Sequence, residues 1–339
     1  MSQAITKGER PSLSVIQDKE KLQVFCPVPC AQSSLIAEVP MVHDVDIATS
    51  GDSSISCSSM VESDYCNIQV GSTFIIPLLN FNWHQTEAGD ILVRGIKTEC
   101  LNIKTFSGEV TCVGAVQGRV FVDTGDGNVV GKGRFLGPQL EVSTDAGDIN
   151  ISSCYSDQSK FVTRRGSMEL KNMHNISSVE VTEEGNVMMQ GLDGTTEVNI
   201  LKGHLDMGVS RVRTESKVEI GEGNVILKLS PSHPLQLRVA AKEIKVDSFF
   251  GQLGKVEEVE GGQELSAATA GVEGPVLKVV APAGKVEIRQ QSWAESIGLN
   301  MGAMGGLKRG EDLEGETRKK GSIEGWSIQD ILAEDKEKK

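Results

Sequence analysis

Three neighbouring residues, Asp123-Thr124-Gly125, match the triplet that carries the catalytic carboxylate of aspartic proteases. That chemistry requires two carboxylates that face each other and share one proton. The sequence contains no second copy of the triplet, so a dimer would have to supply the second carboxylate. We therefore expect Asp123 to lie in an ordinary glycine-containing turn.

Two short stretches resemble metal sites without completing one. The run Asp123-Thr-Gly-Asp-Gly-Asn128 lacks the spaced carboxylates and the closing glutamate of a calcium loop. The pair in Cys26-Pro-Val-Pro-Cys30 has no second cysteine pair with which to form a zinc site. The sequence thus predicts no catalytic residue, no metal site and no cofactor.

A mixed cluster of charges is the nearest approach to a polysaccharide-cleaving site. Enzymes of that kind place acids, or acids with a Lys or Arg, along one groove. Arg164 and Arg165 would lie beside Asp148 and Glu183–Glu184 of neighbouring repeats. Mixed charges on an exposed sheet more often only keep a protein soluble. The five histidines suggest no metal-ligand set and no Ser-His-Asp grouping.

The glycines that precede short apolar runs recur at intervals of 18 to 20 residues. Such a period is the sequence signature of a repeat protein, in which each unit buries the apolar face of its neighbour. Glycine suits a tight corner because it adopts a positive φ without steric cost. The predicted corner residues are Gly51, Gly71, Gly89, Gly108, Gly127, Gly147, Gly166, Gly185, Gly203, Gly223 and Gly284.

Apolar residues two and four positions after most of these glycines keep the alternation of a β-strand, as in Ile149 and Ile151, and the flanks of Gly51 and Gly71 are weaker. A second alternating run, such as Leu140-Glu-Val142, precedes most of the glycines. The residue after each glycine is usually small and polar, and this surface column could attract a cation through Asp90, Glu109 and Asp148. The pattern predicts an all-β, single-stranded β-solenoid (a β-helix) of about ten coils.

Three segments follow from this periodicity. Residues 1–34 form an irregular segment with a strand at Lys21–Phe25, and residues 35–295 form the solenoid. Within the solenoid, residues 251–274 break the pattern with Gly, Glu and Gln and predict a long loop insertion. Residues 296–339 are rich in glycine and charge and predict a disordered tail that could end in a short helix.

Charge and composition narrow the classes of partner. The formal net charge of −13, with 34 basic and 47 acidic residues, disfavours nucleic acid and anionic membranes. The absence of a signal-peptide pattern and of a long apolar run, with an odd count of seven cysteines, predicts an intracellular protein, cytoplasmic or mitochondrial. A protein is the expected partner, and the sequence leaves the oligomeric state open.

The segments Lys242–Asp247, Ala281–Trp293, Thr105–Gly114 and Glu62–Ile68 resemble those of an uncharacterised animal protein in an adhesin-like β-helix family. That family is defined mainly in bacteria, and the similarity extends over residues 35–295. The resemblance implies a right-handed β-solenoid with no established activity. The start of the chain differs from that of typical members.

Three functions are compatible with these observations. The leading hypothesis is a non-enzymatic solenoid that presents a side face to another macromolecule, because the scaffold is regular and lacks a recognisable catalytic set. The first alternative is a carbohydrate-active β-helix enzyme. The second is a self-assembling structural protein, since the terminal coils of a solenoid expose unpaired strand edges.

Overall fold

The computed structural model describes residues 89–269 and 274–291 with their side chains, and before residue 71 the backbone of seven strands. All of these residues belong to the first of two compact units, Met1–Asn300. The second unit, Met301–Lys339, lies outside the described residues, as does the tail predicted there.

The described chain is almost entirely β-strand, with one four-residue helix. The strands before residue 71 are β1 (Ala4–Lys7), β2 (Ser14–Gln17), β3 (Lys21–Cys26), β4 (Ser34–Ala37), β5 (Asp44–Thr49), β6 (Ile55–Ser58) and β7 (Glu62–Val70). The solenoid continues with β8 (Ile91–Thr105), β9 (Val110–Thr124), β10 (Val129–Ala146), β11 (Ile149–Cys154), β12 (Gln158–Arg165), β13 (Met168–Lys171), β14 (His174–Glu184), β15 (Val187–Lys202), β16 (Leu205–Val212), β17 (Ser216–Glu222) and β18 (Val225–Leu229). It ends with β19 (Leu235–Val246), α1 (Phe250–Leu253), β20 (Gly254–Val259), β21 (Gly262–Thr269) and β22 (Val276–Gln290).

Each coil pairs in parallel with the coil before it, which confirms the predicted β-solenoid. β8 pairs with β9 and β9 with β10. In later coils two or three shorter strands replace one long strand, as where β11 and β12 both pair with β10. Seven complete coils separate Gly89 from Gly223. The predicted corners at Gly51 and Gly71 lie outside the described residues.

Each coil bends into three short faces, which can be followed in β9. Val110 and Cys112 point inward from the first face, Val116 from the second, and Val120 and Val122 from the third. The second and third faces begin after glycines with positive φ, at Gly114 (80°) and Gly118 (133°). A solenoid with such narrow faces leaves only a thin interior, which Val, Ile and Leu side chains mainly fill.

One pair of neighbours shows how tightly this interior is filled. At the position where other coils carry a large aliphatic residue, this coil has Gly131, and the fully buried ring of Phe135 occupies the space. A Cβ on Gly131 would lie 2.5 Å from the Cε2 atom of Phe135 and 3.0 Å from the Cδ1 atom of Ile151. Phe135 replaces the smaller Val116 of the preceding coil, to which it is register-paired.

The last two rungs of the stack are in reversed order. β22 pairs in parallel with β17 and β18 on one side and with β19 on its other side. The chain therefore skips one rung after β18, builds β19, and returns to fill the vacant rung with β22. Since the periodicity of the residues within each strand is unchanged, nothing in the sequence pattern indicates this crossing.

The prediction of a long loop at residues 251–274 is wrong, because most of this segment has regular secondary structure. The segment contains α1 and the antiparallel pair β20–β21, and β21 pairs antiparallel with β19. Residues 270–273 lie outside the described residues. The alternation of Leu265, Ala267 and Thr269, all buried, is the apolar signal of β21 that the many polar residues around it obscure.

Antiparallel strands stand at both ends of the described stack. At the amino-terminal end β2 pairs with β3, and β3 continues in parallel to β5 and β7. At the other end β21 and β20 cover the far side of β19. Antiparallel strands thus cover β3 at one end and the Leu235–Ala241 half of β19 at the other.

Candidate functional site

The predicted corner glycines from Gly89 to Gly284 form one column on the surface of the stack. A Cβ on Gly127 would overlap the carbonyl oxygen of Gly108, and one on Gly284 would overlap that of Gly223. Each coil therefore approaches the next so closely at this corner that a side chain does not fit. These glycines are structural residues of the backbone stack.

The polar residues that follow these glycines form a ladder of hydrogen bonds along the same corner. An Oδ1 atom of Asn128 accepts the backbone N–H of Asp148 at 2.8 Å, and Asp148 in turn accepts that of Ser167 at 2.7 Å. The same bond runs from Glu109 N to Asp90, from His204 N to Asn186 and from Lys285 N to Asn224. The polar column at the corner, which neutral Asn128 interrupts, thus accepts backbone N–H groups between coils.

His204 continues this ladder with an imidazole in place of an amide. Its Nδ1 atom accepts the N–H of Asn224 at 3.1 Å, which requires that nitrogen to be unprotonated. The bond gives His204 the same structural role that Asn128 and Asp148 have in their coils.

Asp123-Thr124-Gly125 lies in the corner, as the repeat predicts. Asp123 is more than half exposed and pairs with Lys104 at 3.1 Å, while the hydroxyl of Ser143 donates to it at 3.0 Å. Thr124 is buried, and its hydroxyl donates to the carbonyl of Gly127. No second carboxylate faces Asp123 among the described residues, so the geometry lacks the shared proton of an aspartic protease.

The buried threonines of this corner form a row that sequence inspection missed. Thr105, Thr124, Thr144 and Thr163 occupy the same inward position in four successive coils. Their hydroxyls donate to carbonyls of the glycine corner, at distances from 2.9 to 3.4 Å. The signal for this row was the recurrence of Thr at the repeat period rather than at any local spacing.

The mixed charge cluster is an ion-pair network. Arg164 Nη1 lies 3.0 Å from Glu183 Oε1, and Arg165 Nε lies 2.5 Å from Glu183 Oε2. These two guanidinium groups hold the pKa of Glu183 below its usual range through hydrogen bonds and charge. Asp148 and Glu184 do not join it, because Asp148 serves the corner ladder and Glu184 faces Lys202 at 3.8 Å.

A lowered pKa is the opposite of what glycoside hydrolysis needs from its general acid. Within the part of the chain that the structure describes, the carboxyl groups with a shifted pKa are Glu183, Asp193 and Glu287. All three shift downward because an arginine donates a hydrogen bond to each. The cluster therefore stabilises neighbouring coils rather than supplying an acid.

A second polar stack crosses the next face of the solenoid. The rings of Tyr155 and His174 are stacked with centroids 4.4 Å apart, and His174 Nδ1 lies 3.9 Å from Asp193 Oδ2. Arg213 Nε lies 3.1 Å from Asp193 Oδ1 and lowers the pKa of that carboxyl, with a smaller contribution from His174. These residues are 19 or 20 positions apart, so a search for i+2 or i+4 partners could not find them.

Three free cysteines lie among the described residues, and Cys100 is the half-buried one. Cys112 and Cys154 are buried, and burial raises the pKa of the Cys112 thiol to about 12. A thiol with so high a pKa is a poor nucleophile and metal ligand. Residues 89–269 and 274–291 contain no group of three or more His, Cys, Asp or Glu side chains arranged to hold a metal ion. Cys30 and the side chain of Cys26 lie outside the described residues.

A shallow groove of about 520 Å³ crosses five coils on the first face. Its floor consists of register-paired outward residues from successive coils, namely Asn150, Glu169, Met188, Asp206 and Ile226. Both acids of the floor are already engaged, Glu169 by Asn150 and Lys171 and Asp206 by Lys228. Along the corner ladder the groove is bounded by Ser167 and Asn186.

The described helix is too short to cross a bilayer, and we find no membrane-spanning helix in that part of the chain. The parallel coils, the glycine corner and the internally paired polar groups together define a β-solenoid protein. The family model described as Toastrack DUF4097 matches residues 119–289, half of the chain, and the protein belongs to that family. No solved structure matches the chain. The resemblance to an adhesin-like family stays a prediction.

Proposed function

We propose that the solenoid is a non-enzymatic binding scaffold whose first face receives a segment of another protein. The observation that supports this function is the groove of about 520 Å³ that crosses five coils. Concave sites lined mainly by apolar atoms with a few polar groups are typical binding sites. Met188 and Ile226 provide half-buried apolar floor, and the corner ladder provides one polar wall.

The state of the charged residues supports binding over hydrolysis. Two carboxylates that cleave a glycosidic bond must be free to exchange protons. In the groove Glu169 and Asp206 each contact a lysine, and at the corner two arginines hold Glu183. The carbohydrate-active alternative has no observation in its favour.

A photo-crosslinking residue at Met188 tests the proposal in cells. We expect one protein to be captured, and we expect Ile226→Asp to abolish the capture because it places a charge on the apolar floor. The matched control is Val162→Asp, an outward position on the third face that should leave the capture intact.

Two results would contradict the proposal. One is a capture that Ile226→Asp and Val162→Asp change equally. The other is release of products when the purified full chain is incubated with a panel of polysaccharides, because a scaffold does not turn over its ligand.

A further inference from the structure

The third face carries a row of cations that an acidic protein would not be expected to assemble. Register pairing places Lys217, Lys278 and Arg238 side by side on three adjacent strands, β17, β22 and β19. The row continues through Ser266 of β21 to Lys255 of β20. Adjacent strands are about 4.8 Å apart, so Lys278 lies one strand from both Lys217 and Arg238.

These side chains point outward and most have no acidic partner. Lys278, Arg238 and Ser266 each lie between two inward residues of their strands and are exposed, as is Lys255. Lys217 pairs with Glu219 at 2.9 Å. None of the other three cations has a carboxylate within ion-pair distance among residues 89–269 and 274–291.

The reversed order of the last rungs creates this row. Because β22 fills the rung between β17 and β19, Lys278 stands between two cations that are 21 residues apart in the sequence. Like charges on adjacent strands destabilise a sheet. Lys278, Arg238 and Lys255, which have no ion pair among the described residues, therefore carry a cost to stability that an anionic ligand would relieve.

The surroundings of the row define the shape of that ligand. A neighbouring row of outward-facing residues lies two positions away from the cation row on each of the same strands. It carries Glu219 at one end and Glu264 and Glu257 at the other, with the aliphatic residues Val280 and Ala240 between them. A duplex or a membrane surface laid on this face would meet those carboxylates. A single extended chain, one residue wide, would contact the cations and the aliphatic positions and avoid the acids.

We infer that Lys278, Arg238 and Lys255 bind an extended segment of a partner protein in which Asp or Glu alternates with small apolar residues. Carboxylates of the segment would contact the three cations, and the apolar residues would cover Val280 and Ala240. The site lies on a different face from the groove of the first face, and it does not depend on that groove.

Binding of a synthetic peptide of alternating Asp and Ala to the full chain tests the inference. We expect fluorescence anisotropy to show binding that weakens with salt and that exceeds binding of a matched Asn-Ala peptide. Lys278→Glu/Arg238→Glu should weaken it about ten-fold or more, since it replaces two attractions with two repulsions. Both positions are exposed, and an unchanged melting temperature verifies the fold.

The control is Lys132→Glu/Lys160→Glu, which changes the net charge equally at two exposed cations outside the row. Equal losses in the two double variants would mean a general charge effect and would overturn the inference. So would tighter binding of a single-stranded oligonucleotide or of phosphatidylserine vesicles that the Lys278/Arg238 reversal abolishes.

A photo-crosslinking residue at Ser266 separates this inference from the groove proposal. Capture of a protein at Ser266 that the Lys278/Arg238 reversal abolishes supports the cation row. Capture at Met188 with none at Ser266 overturns the row and leaves the groove function standing.

Discussion

Residues whose types suggest catalysis serve in this protein to join one coil to the next. Asp123 contacts Lys104 and Ser143, Glu183 contacts two arginines, and Asp148 accepts a backbone N–H. Each of these contacts joins residues 18 to 20 positions apart. At this scale the repeat period, rather than the local motif, determines which residues meet.

The contact between Gly131 and Phe135 allows a direct test of packing. We expect Gly131→Val to be destabilising, because its side chain would overlap the Phe135 ring. Phe135→Val should cost about 1–3 kcal/mol, since it leaves a cavity in a closed core. The double variant should lose less stability than the sum of the two single losses, because the added Val fills the cavity that Phe135→Val leaves. Chemical denaturation of the four proteins measures this coupling, and additive losses would contradict it.

The corner ladder predicts a different cost for two changes at Asn186. Asn186→Ala removes the acceptor of the His204 N–H and should cost about 1 kcal/mol. Asn186→Asp keeps an acceptor oxygen and should be close to neutral. The measurement is the free energy of unfolding in urea, and equal losses for the two variants would show that the ladder bond is not the cause.

At the scale of the element, the close approach at the glycine corner makes β-strand stacking intolerant of any side chain. Gly127→Ala should lower the melting temperature by several degrees, because its Cβ would overlap the carbonyl oxygen of Gly108. Gly251→Ala is the matched control, since a Cβ there meets nothing within 4 Å and the residue lies in α1. A similar effect of both changes would contradict the stacking argument.

The pairing of Asp193 with Arg213 links β15 to the residue that follows β16 and depends on pH. The folded-state pKa of Asp193 is lowered, so the pair adds stability above the unfolded pKa of about 3.9. That contribution is lost as the pH falls through the lower folded-state pKa. We expect Arg213→Gln to reduce the melting temperature at pH 7 and to have a smaller effect at pH 3.

Asp193→Asn supplies the control for this pH dependence. In that background Arg213→Gln should have a similar effect at both pH values, because the titrating carboxylate is absent. A pH-independent effect of Arg213→Gln in the wild-type background would contradict the prediction.

The fold class was predictable from the sequence because the glycine period and the alternating apolar residues both express a single repeated contact. The rung order was not, since Val279 and Val286 alternate in the same way whether β22 follows β19 or lies beneath it. The cation row was missed for the same reason, because Lys217, Arg238 and Lys278 are scattered in sequence. The polar insertion concealed β21, whose Leu265 and Ala267 pack inward.

For the solenoid as a whole, the antiparallel strands at its ends argue against open-ended assembly. Among the described residues β20 pairs only with β21, and it carries Lys255, Glu257 and Glu258; charges on a short edge strand oppose pairing with another chain. We expect light scattering of the wild-type chain to show no growth in particle mass with concentration.

Removal of the edge charges should change that behaviour. Glu257→Val/Glu258→Val should associate as concentration rises, because the edge then combines β-branched residues with unpaired backbone groups. Glu141→Val/Glu180→Val is the control, as these residues lie on β10 and β14, which are paired on both edges. Association of the control, or of the wild type, would refute the protective role of β20.

The rung filled by β22 also affects how the protein resists being pulled apart. In an ordinary solenoid the last coil is hydrogen-bonded only to the coil before it, so a force on its end detaches it from the stack. Here a tension applied at residue 290 acts on a strand gripped from both sides, so two ladders must shear before the first turn is released. Among the described strands, a proteolytic machine that pulls on residue 290 would therefore have to break the pairing of β22 with β17 and β18 and its pairing with β19 together.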